Sequence, residues 1–282
     1  MSEVGNLTVA LPTGRFVELP GRGVTFVREV PGPVGAPTIV LLHGWTATAD
    51  LNWFRTFDAF GQYYRVLAMD LRGHGRGIRP RAYFRLEHCA DDVLALADVF
   101  GIDRVIPVGY SMGGAVAQLV AQRHPTRVAG LVLCSTAASF RSNSGAERVM
   151  WNGVMPAVAA ALTLTPNAMR QQLLSRYVLV RSEAGTPPWM LDEMRRNDPA
   201  MIAQAGAALG RFDSRGWIGT LDVPIAVVVT TLDATVPTAR QRKLAALIPK
   251  AAVFEVEADH RAAVTDAPVW TAAALRALAT VR

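Results

Sequence analysis

The sequence predicts an α/β fold, a mostly parallel twisted sheet flanked by helices, with a helical segment inserted between two of its strands. Three observations predict it. Short, continuously apolar runs alternate with stretches of helical periodicity, the pattern of strands buried on both faces and joined by helices. One stretch, residues 138–216, interrupts the alternation and holds helical patches but no strand. The run Gly109-Tyr110-Ser111-Met112-Gly113 stands between a strand-like and a helix-like stretch, where a tight strand-to-helix turn is expected.

Taken in order, residues 15–19 and 24–30 read as strands around the turn Pro20-Gly21-Arg22-Gly23, a hairpin. Residues 38–42 are a short apolar strand, 50–60 a helix and 65–69 another strand. Residues 86–100 have helical periodicity with acidic side chains in the first turn, which suits the positive end of a helix. A strand at 104–109, a helix at 112–123 and a strand at 128–134 follow. Beyond the interruption come strands at 224–230 and 252–256, a helix at 238–247 between them, and a closing helix at 262–278. The expected organisation is a core domain of residues 1–137 and 217–282, with 138–216 as a helical cap. The insertion follows the strand ending at Cys134, and ligands of open α/β sheets bind at the carboxyl ends of strands.

At 282 residues, 51% hydrophobic and 18% charged, the chain is too apolar to be disordered. Its apolar runs are too short or too interrupted to span a bilayer. Residues 1–12 lack a basic stretch followed by an apolar one, so a cytoplasmic protein is expected. The net charge of +6 is almost entirely arginine, but the longest basic cluster is Arg195-Arg196 and no aromatics interleave with it. The charge therefore reads as scattered over helices, and no nucleic-acid partner is expected. Cys89 and Cys134 share no metal-ligand spacing and suggest no disulfide framework. The glycine-rich stretch from Asp70 to Gly77 matches neither a dinucleotide fingerprint nor a phosphate loop. It reads as a tight loop held by its own hydrogen bonds, and no metal or organic cofactor is expected.

The chemistry concentrates at Ser111. In G-x-S-x-G the serine occupies a sharp turn, glycines let strand and helix approach closely, and the helix aims its N-terminus at the site. A serine hydroxyl needs a base, and the base needs a residue that orients it. The order for such an elbow is serine, acid, histidine. Of five histidines only His124 and His260 follow Ser111. His124, in Arg123-His124-Pro125, sits at a helix end away from the strand tips, whereas His260 follows the last strand. Asp233 stands at the end of the preceding strand, before Pro237. Asp259 adjoins His260, and neighbours rarely orient one another's side chains. The expected catalytic set is Ser111, Asp233 and His260. The expected oxyanion donors are the amides of Met112 and Trp45, with Gly44 turning the chain so that the Trp45 N–H faces the site. His43 is expected to make loop hydrogen bonds only. Trp45, Tyr110, Trp151 and Trp189 are the expected substrate-binding side chains. For the tryptophans of the insertion, which accompany Met155, Met169, Met190 and Met194, a second reading stands: they glue the cap to the sheet.

Together, Leu41-Leu42-His43-Gly44-Trp45, the run from Asp70 to Gly75, the elbow extended to Gly114, Asp233 and His260 resemble the α/β-hydrolase fold superfamily over nearly the whole chain except the insertion. The resemblance implies an esterase- or lipase-like serine hydrolase and supports the same three catalytic residues, while the apolar side chains of the insertion suggest a small apolar ester as substrate. One departure is Asp259, where a glycine more often precedes the histidine. Epoxide hydrolases and haloalkane dehalogenases of this fold carry an aspartate at the elbow, where this chain has Ser111. Carbon–carbon hydrolases tend to have a glycine-rich stretch after His-Gly, where this chain has Trp45-Thr46-Ala47-Thr48. Cofactor-free perhydrolase and haloperoxidase relatives often have a proline where Thr46 stands. A carboxylic-ester hydrolase leads, and another serine-triad activity (C–C, thioester or lactone cleavage, or perhydrolysis) follows. A non-enzymatic binding protein is opposed by the intact set of three residues.

Overall fold

A computed structural model describes residues 10–80, 82–141, 145–182 and 185–282. Eight strands, β1 (Gly14–Leu19), β2 (Gly23–Val30), β3 (Thr38–Leu42), β4 (Arg65–Met69), β5 (Val105–Tyr110), β6 (Leu131–Cys134), β7 (Ile225–Thr230) and β8 (Ala252–Val256), form one sheet. Their order is β1-β2-β4-β3-β5-β6-β7-β8. β1 and β2 run antiparallel, and all pairings from β4 to β8 are parallel.

The apolar runs become strands because both faces of the sheet are covered. Val40, Leu42, Leu67, Met69, Leu133 and Val227 point into one buried cluster. Their neighbours Ile39, Leu41, Val66, Ala68, Val132 and Ala226 point into the other, as the two-residue period requires. Each such fully buried Val, Leu, Ile or Met side chain contributes about 1.5–3 kcal/mol.

Helices α1 (Ala49–Trp53) and α2 (Phe57–Gly61) divide the single helix expected at 50–60. Thr48 caps the first through its side chain, and the Thr56 hydroxyl donates to Trp53 O, 2.9 Å, at the break. Helices α3 (Leu86–Val99) and α4 (Met112–Arg123) follow β4 and β5. Between β6 and β7 lie α5 (Gly145–Val149), a π-helical turn (Met150–Val154), α6 (Met155–Leu164), α7 (Asn167–Arg181), α8 (Pro188–Arg195) and α9 (Pro199–Arg211). The chain ends with α10 (Thr238–Ala246), α11 (Ala262–Thr265) and α12 (Ala267–Ala279). The closing helix is broken because Pro268 near the start of α12 cannot continue the preceding turn. No helix among the described residues is long and apolar enough to cross a membrane.

Register gathers the loops that matter. Leu42 is opposite Gly109, Tyr110 opposite Cys134, Cys134 opposite Val228, and Thr230 opposite Val256. The loops leaving β3, β5, β7 and β8 therefore emerge along one edge of the sheet.

Candidate active site

Ser111 links β5 to α4 with φ 54° and ψ −115°. A non-glycine residue there carries about 1–3 kcal/mol of strain, held by its surroundings. The Ser111 N–H donates to Cys134 O, 2.9 Å, and its carbonyl accepts from the Thr136 hydroxyl, 2.7 Å. The close approach needs glycine: a Cβ on Gly113 would lie 2.0 Å from Leu42 O, and one on Gly109 2.3 Å from Gly113 O.

The three residues expected from the sequence meet. His260 Nε2 lies 3.0 Å from Ser111 Oγ, and its Nδ1 lies 2.7 Å from Asp233 Oδ2. Asp233 is fixed from all sides. Oδ2 also accepts from the Thr230 hydroxyl, 2.9 Å, and Gln241 Nε2, 3.0 Å. Oδ1 accepts the amides of Thr235 and Val236, each 2.9 Å. Burial alone would raise the Asp233 carboxyl, but the hydrogen bonds from His260, Val236 and Thr230 outweigh it and hold it below its ordinary range. Asp259 turns elsewhere: its Oδ1 accepts the Arg261 amide, 2.7 Å, beside the Arg261 side chain. His124 lies far along α4, 3.1 Å from Asp91.

Among the described residues, no acceptor takes the N–H of Met112 or Trp45, while the neighbouring Gly44 N–H is engaged by Asn52 Oδ1 at 2.9 Å. The left-handed backbone of this loop lies at Thr46, φ 66°, and not at Gly44. Gly44 serves proximity, since a Cβ there would sit 3.4 Å from the Ser111 Cβ. His43 is buried, and burial lowers its pKa to about 4. As a neutral ring it donates from Nδ1 to Gly44 O, 2.8 Å, and accepts the Leu71 N–H at Nε2, 3.0 Å. The loop from Asp70 to Gly77 is closed internally, as by Gly73 N–H to Ile78 O at 3.0 Å. It is also tied to the helical segment, because Asn197 accepts the Gly75 N–H and donates to Thr46 O.

A cavity of about 580 Å³ opens onto Ser111 and His260. Trp45, Leu51, Pro187, Met190, Met194 and Val264 supply apolar wall, and Asn52, Thr186 and Arg261 supply polar points. The Trp45 indole donates to Ile202 O, 2.8 Å, and its ring fits against α9 only because residue 206 is glycine, where a Cβ would be 2.7 Å from the ring. Tyr110 borders the cavity, but its hydroxyl donates to His260 O, 2.9 Å, steadying the loop that bears the imidazole. Burial pushes the Tyr110 phenol up, so it remains protonated.

Trp151 and Trp189 are not among the residues lining this cavity. Trp189 packs edge-on to Phe54, centroids 5.2 Å apart, and Trp151 packs 6.5 Å from Trp45 and against Gly210. The reason is helical phase: Met190 and Met194, one turn apart on α8, share a face that Trp189 does not. That i, i+4 pair was the sequence signal for the wall. Among the described residues, no group of three or more His, Cys, Asp and Glu side chains is arranged to hold a metal ion.

Residues 37–267 match the family described as alpha/beta hydrolase fold. A pimeloyl-[acyl-carrier protein] methyl ester esterase of Vibrio atlanticus is 28% identical over 222 residues, 76% of this chain and 83% of that one. The dihydrolipoyllysine-residue acetyltransferase component of the acetoin cleaving system of Pseudomonas putida is 31% identical over 82% of this chain, which spans 61% of that protein. The crystal structure of the enol-lactonase from Burkholderia xenovorans superposes with a TM-score of 0.75 at 26% identity, covering 94% of this chain and all of that one.

Proposed function

The chain belongs to the α/β-hydrolase fold family, and from that premise we propose that it is a serine hydrolase that cleaves a carboxylic ester through an acyl-enzyme. The carrying observation is the hydrogen-bonded series from Ser111 through His260 to Asp233 at the floor of a largely apolar cavity. Ser111 Oγ attacks the ester carbonyl carbon while His260 Nε2 takes its proton. Asp233 holds the ring in the tautomer that accepts at Nε2 and stabilises the imidazolium. The carbonyl oxygen, now negative, is met by the N–H groups of Met112 and Trp45; each such donor is worth on the order of 100–1,000-fold in rate. The C–O bond to the alcohol breaks and the departing oxygen receives the proton from His260. Water then attacks the acyl-enzyme with His260 again as base, releasing the acid and restoring Ser111.

Residues 138–216 act as a cap over a core of 1–137 and 217–282. Met190 and Met194 shape the acyl side of the cavity, with Trp45 and Tyr110 beside Ser111, while Trp151 and Trp189 brace the cap from behind. The substrate is a small apolar ester, met in the cytoplasm. A fluorophosphonate should label Ser111 and no other residue, and esters of graded acyl length should be turned over where thioesters and carbon–carbon substrates of equal length are not. Labelling elsewhere, or faster turnover of a non-ester, would overturn the reading.

A further inference from the structure

Helix α7 is inside out. At about 100° per residue, Met169, Leu173, Tyr177 and Val180 fall in an arc of about 80°. Leu173 is 49% and Val180 83% exposed. Val178, about 140° from the middle of that arc, is the buried residue, at 3%. Gln171 and Ser175 lie on the inward side, half-buried. A helix packed only for its own chain would be turned the other way, with apolar stripe inward and amides outward. Leu164, just before α7, is 87% exposed.

The charges around the stripe indicate what covers it. Helix α7 contains Arg170, Arg176 and Arg181 and no aspartate or glutamate, and Arg170 turns inward, 3.7 Å from Asp198. Arg176 is exposed and lies within the angular reach of the stripe. A second copy docking through this face would bring Arg176 toward the same residue of its partner with no carboxylate of α7 to meet it. An apolar stripe with an exposed arginine beside it and no carboxylate on its helix suits an anionic lipid surface, where the side chains enter the acyl boundary and the Arg176 guanidinium meets a phosphate. Position agrees, since α7 runs to Ser182, a residue lining the cavity above Ser111. We propose that α7 adsorbs the protein onto an anionic lipid surface, bringing the cavity mouth to the layer where apolar molecules partition. Binding is argued from α7 alone and is read without turnover, so it stands or falls separately from the ester reading.

The experiment is flotation of the intact protein with phosphatidylcholine vesicles, with and without phosphatidylglycerol, alongside sedimentation velocity. The wild type should float with the phosphatidylglycerol vesicles and be released by salt. L173E/V180E, two changes at exposed positions, should weaken binding by about tenfold or more while leaving turnover of a soluble acetate ester unchanged. Equal flotation with both vesicle types, no flotation, or equal binding by the variant would overturn the proposal. So would a wild-type dimer that the same two substitutions dissolve, which would make a second copy the occupant.

Discussion

The sheet and the helices between β6 and β7 treat apolar side chains in opposite ways. On the sheet, successive residues of β3, β5 and β7 all reach zero or near-zero exposure, divided between two faces that α-helices cover. In α6 and α7, Val158, Leu164, Leu173 and Val180 stand in solvent, and a single buried residue marks the inner side of each helix. Polar groups follow the same division. The five donors around Asp233 saturate its carboxylate, whereas the outer face of α7 leaves Leu173 and Val180 exposed. A region whose bonds are all satisfied internally is held in one arrangement, the preorganisation on which a reactive site depends. A region whose surface is left open is suited to meeting something else.

This contrast is sharpened most by Ser111→Ala. Turnover of an ester should fall on the order of a million-fold, with the thermal unfolding midpoint close to wild type, because only a hydroxyl is lost. Retained turnover would place the chemistry elsewhere. Next, Asp233→Asn should lower turnover on the order of ten-thousand-fold, and Asp259→Asn far less, since Asp259 engages Arg261 and not the imidazole. Equal losses would mean that Asp233 does not orient His260. A third pair of substitutions asks whether the two regions divide the labour. Met190→Ala with Met194→Ala should change the preference between long and short acyl esters by about tenfold, roughly 1.4 kcal/mol, and alter acetate turnover less. Collapse of both rates in a folded variant would show the helices holding the catalytic atoms themselves.

The smallest effect concerns the donors behind Asp233. Its folded-state pKa lies below the ordinary 3.8. The stabilisation is therefore complete above that value and is lost as pH falls through the lowered one. Thr230→Val with Gln241→Leu removes two donors from Oδ2, so the carboxyl should return toward its ordinary value. The variant should start less stable at neutral pH and show a shallower acid-side fall. An unchanged pH dependence of the unfolding midpoint would mean that these donors do not set the charge on Asp233.

The strands and the three central residues were legible because their signals are local. A strand buried on both faces is a continuous apolar run, and Ser111, Asp233 and His260 each stand just past one. Thr230 and Gln241 were not legible as partners of Asp233. A threonine in a strand and a glutamine on a helix reveal nothing of what they bond until β7 and α10 are packed. Thr46 was missed because a glycine two residues earlier offered the easier explanation for a turn. Trp189 was chosen for its size, when helical phase gave the cavity to its neighbours Met190 and Met194. The outward stripe of α7 was missed for a related reason: periodicity in a sequence gives a helix a face, but not the direction in which it looks.

β6 and β7 are hydrogen-bonded neighbours, Leu131 beside Ile225, yet the chain leaves after Cys134 and travels through five α-helices before returning. It departs and re-enters at a pinched neck, where Ser139 bridges Asp213, Ser214 N–H donates to Ala138 O at 2.8 Å, and the Ser214 hydroxyl reaches Gln118 at 2.6 Å. The entropy of closing such an excursion grows only with the logarithm of its length, about 0.6 kcal/mol for each doubling. The closure cost of lengthening or shortening the excursion is therefore smaller than that of one buried methylene, about 0.8 kcal/mol, whereas α9 is held by packing, its Met201, Ala205 and Leu209 lying in the same buried cluster as the strands. In polymer terms the neck decouples the excursion from the register of β6 and β7.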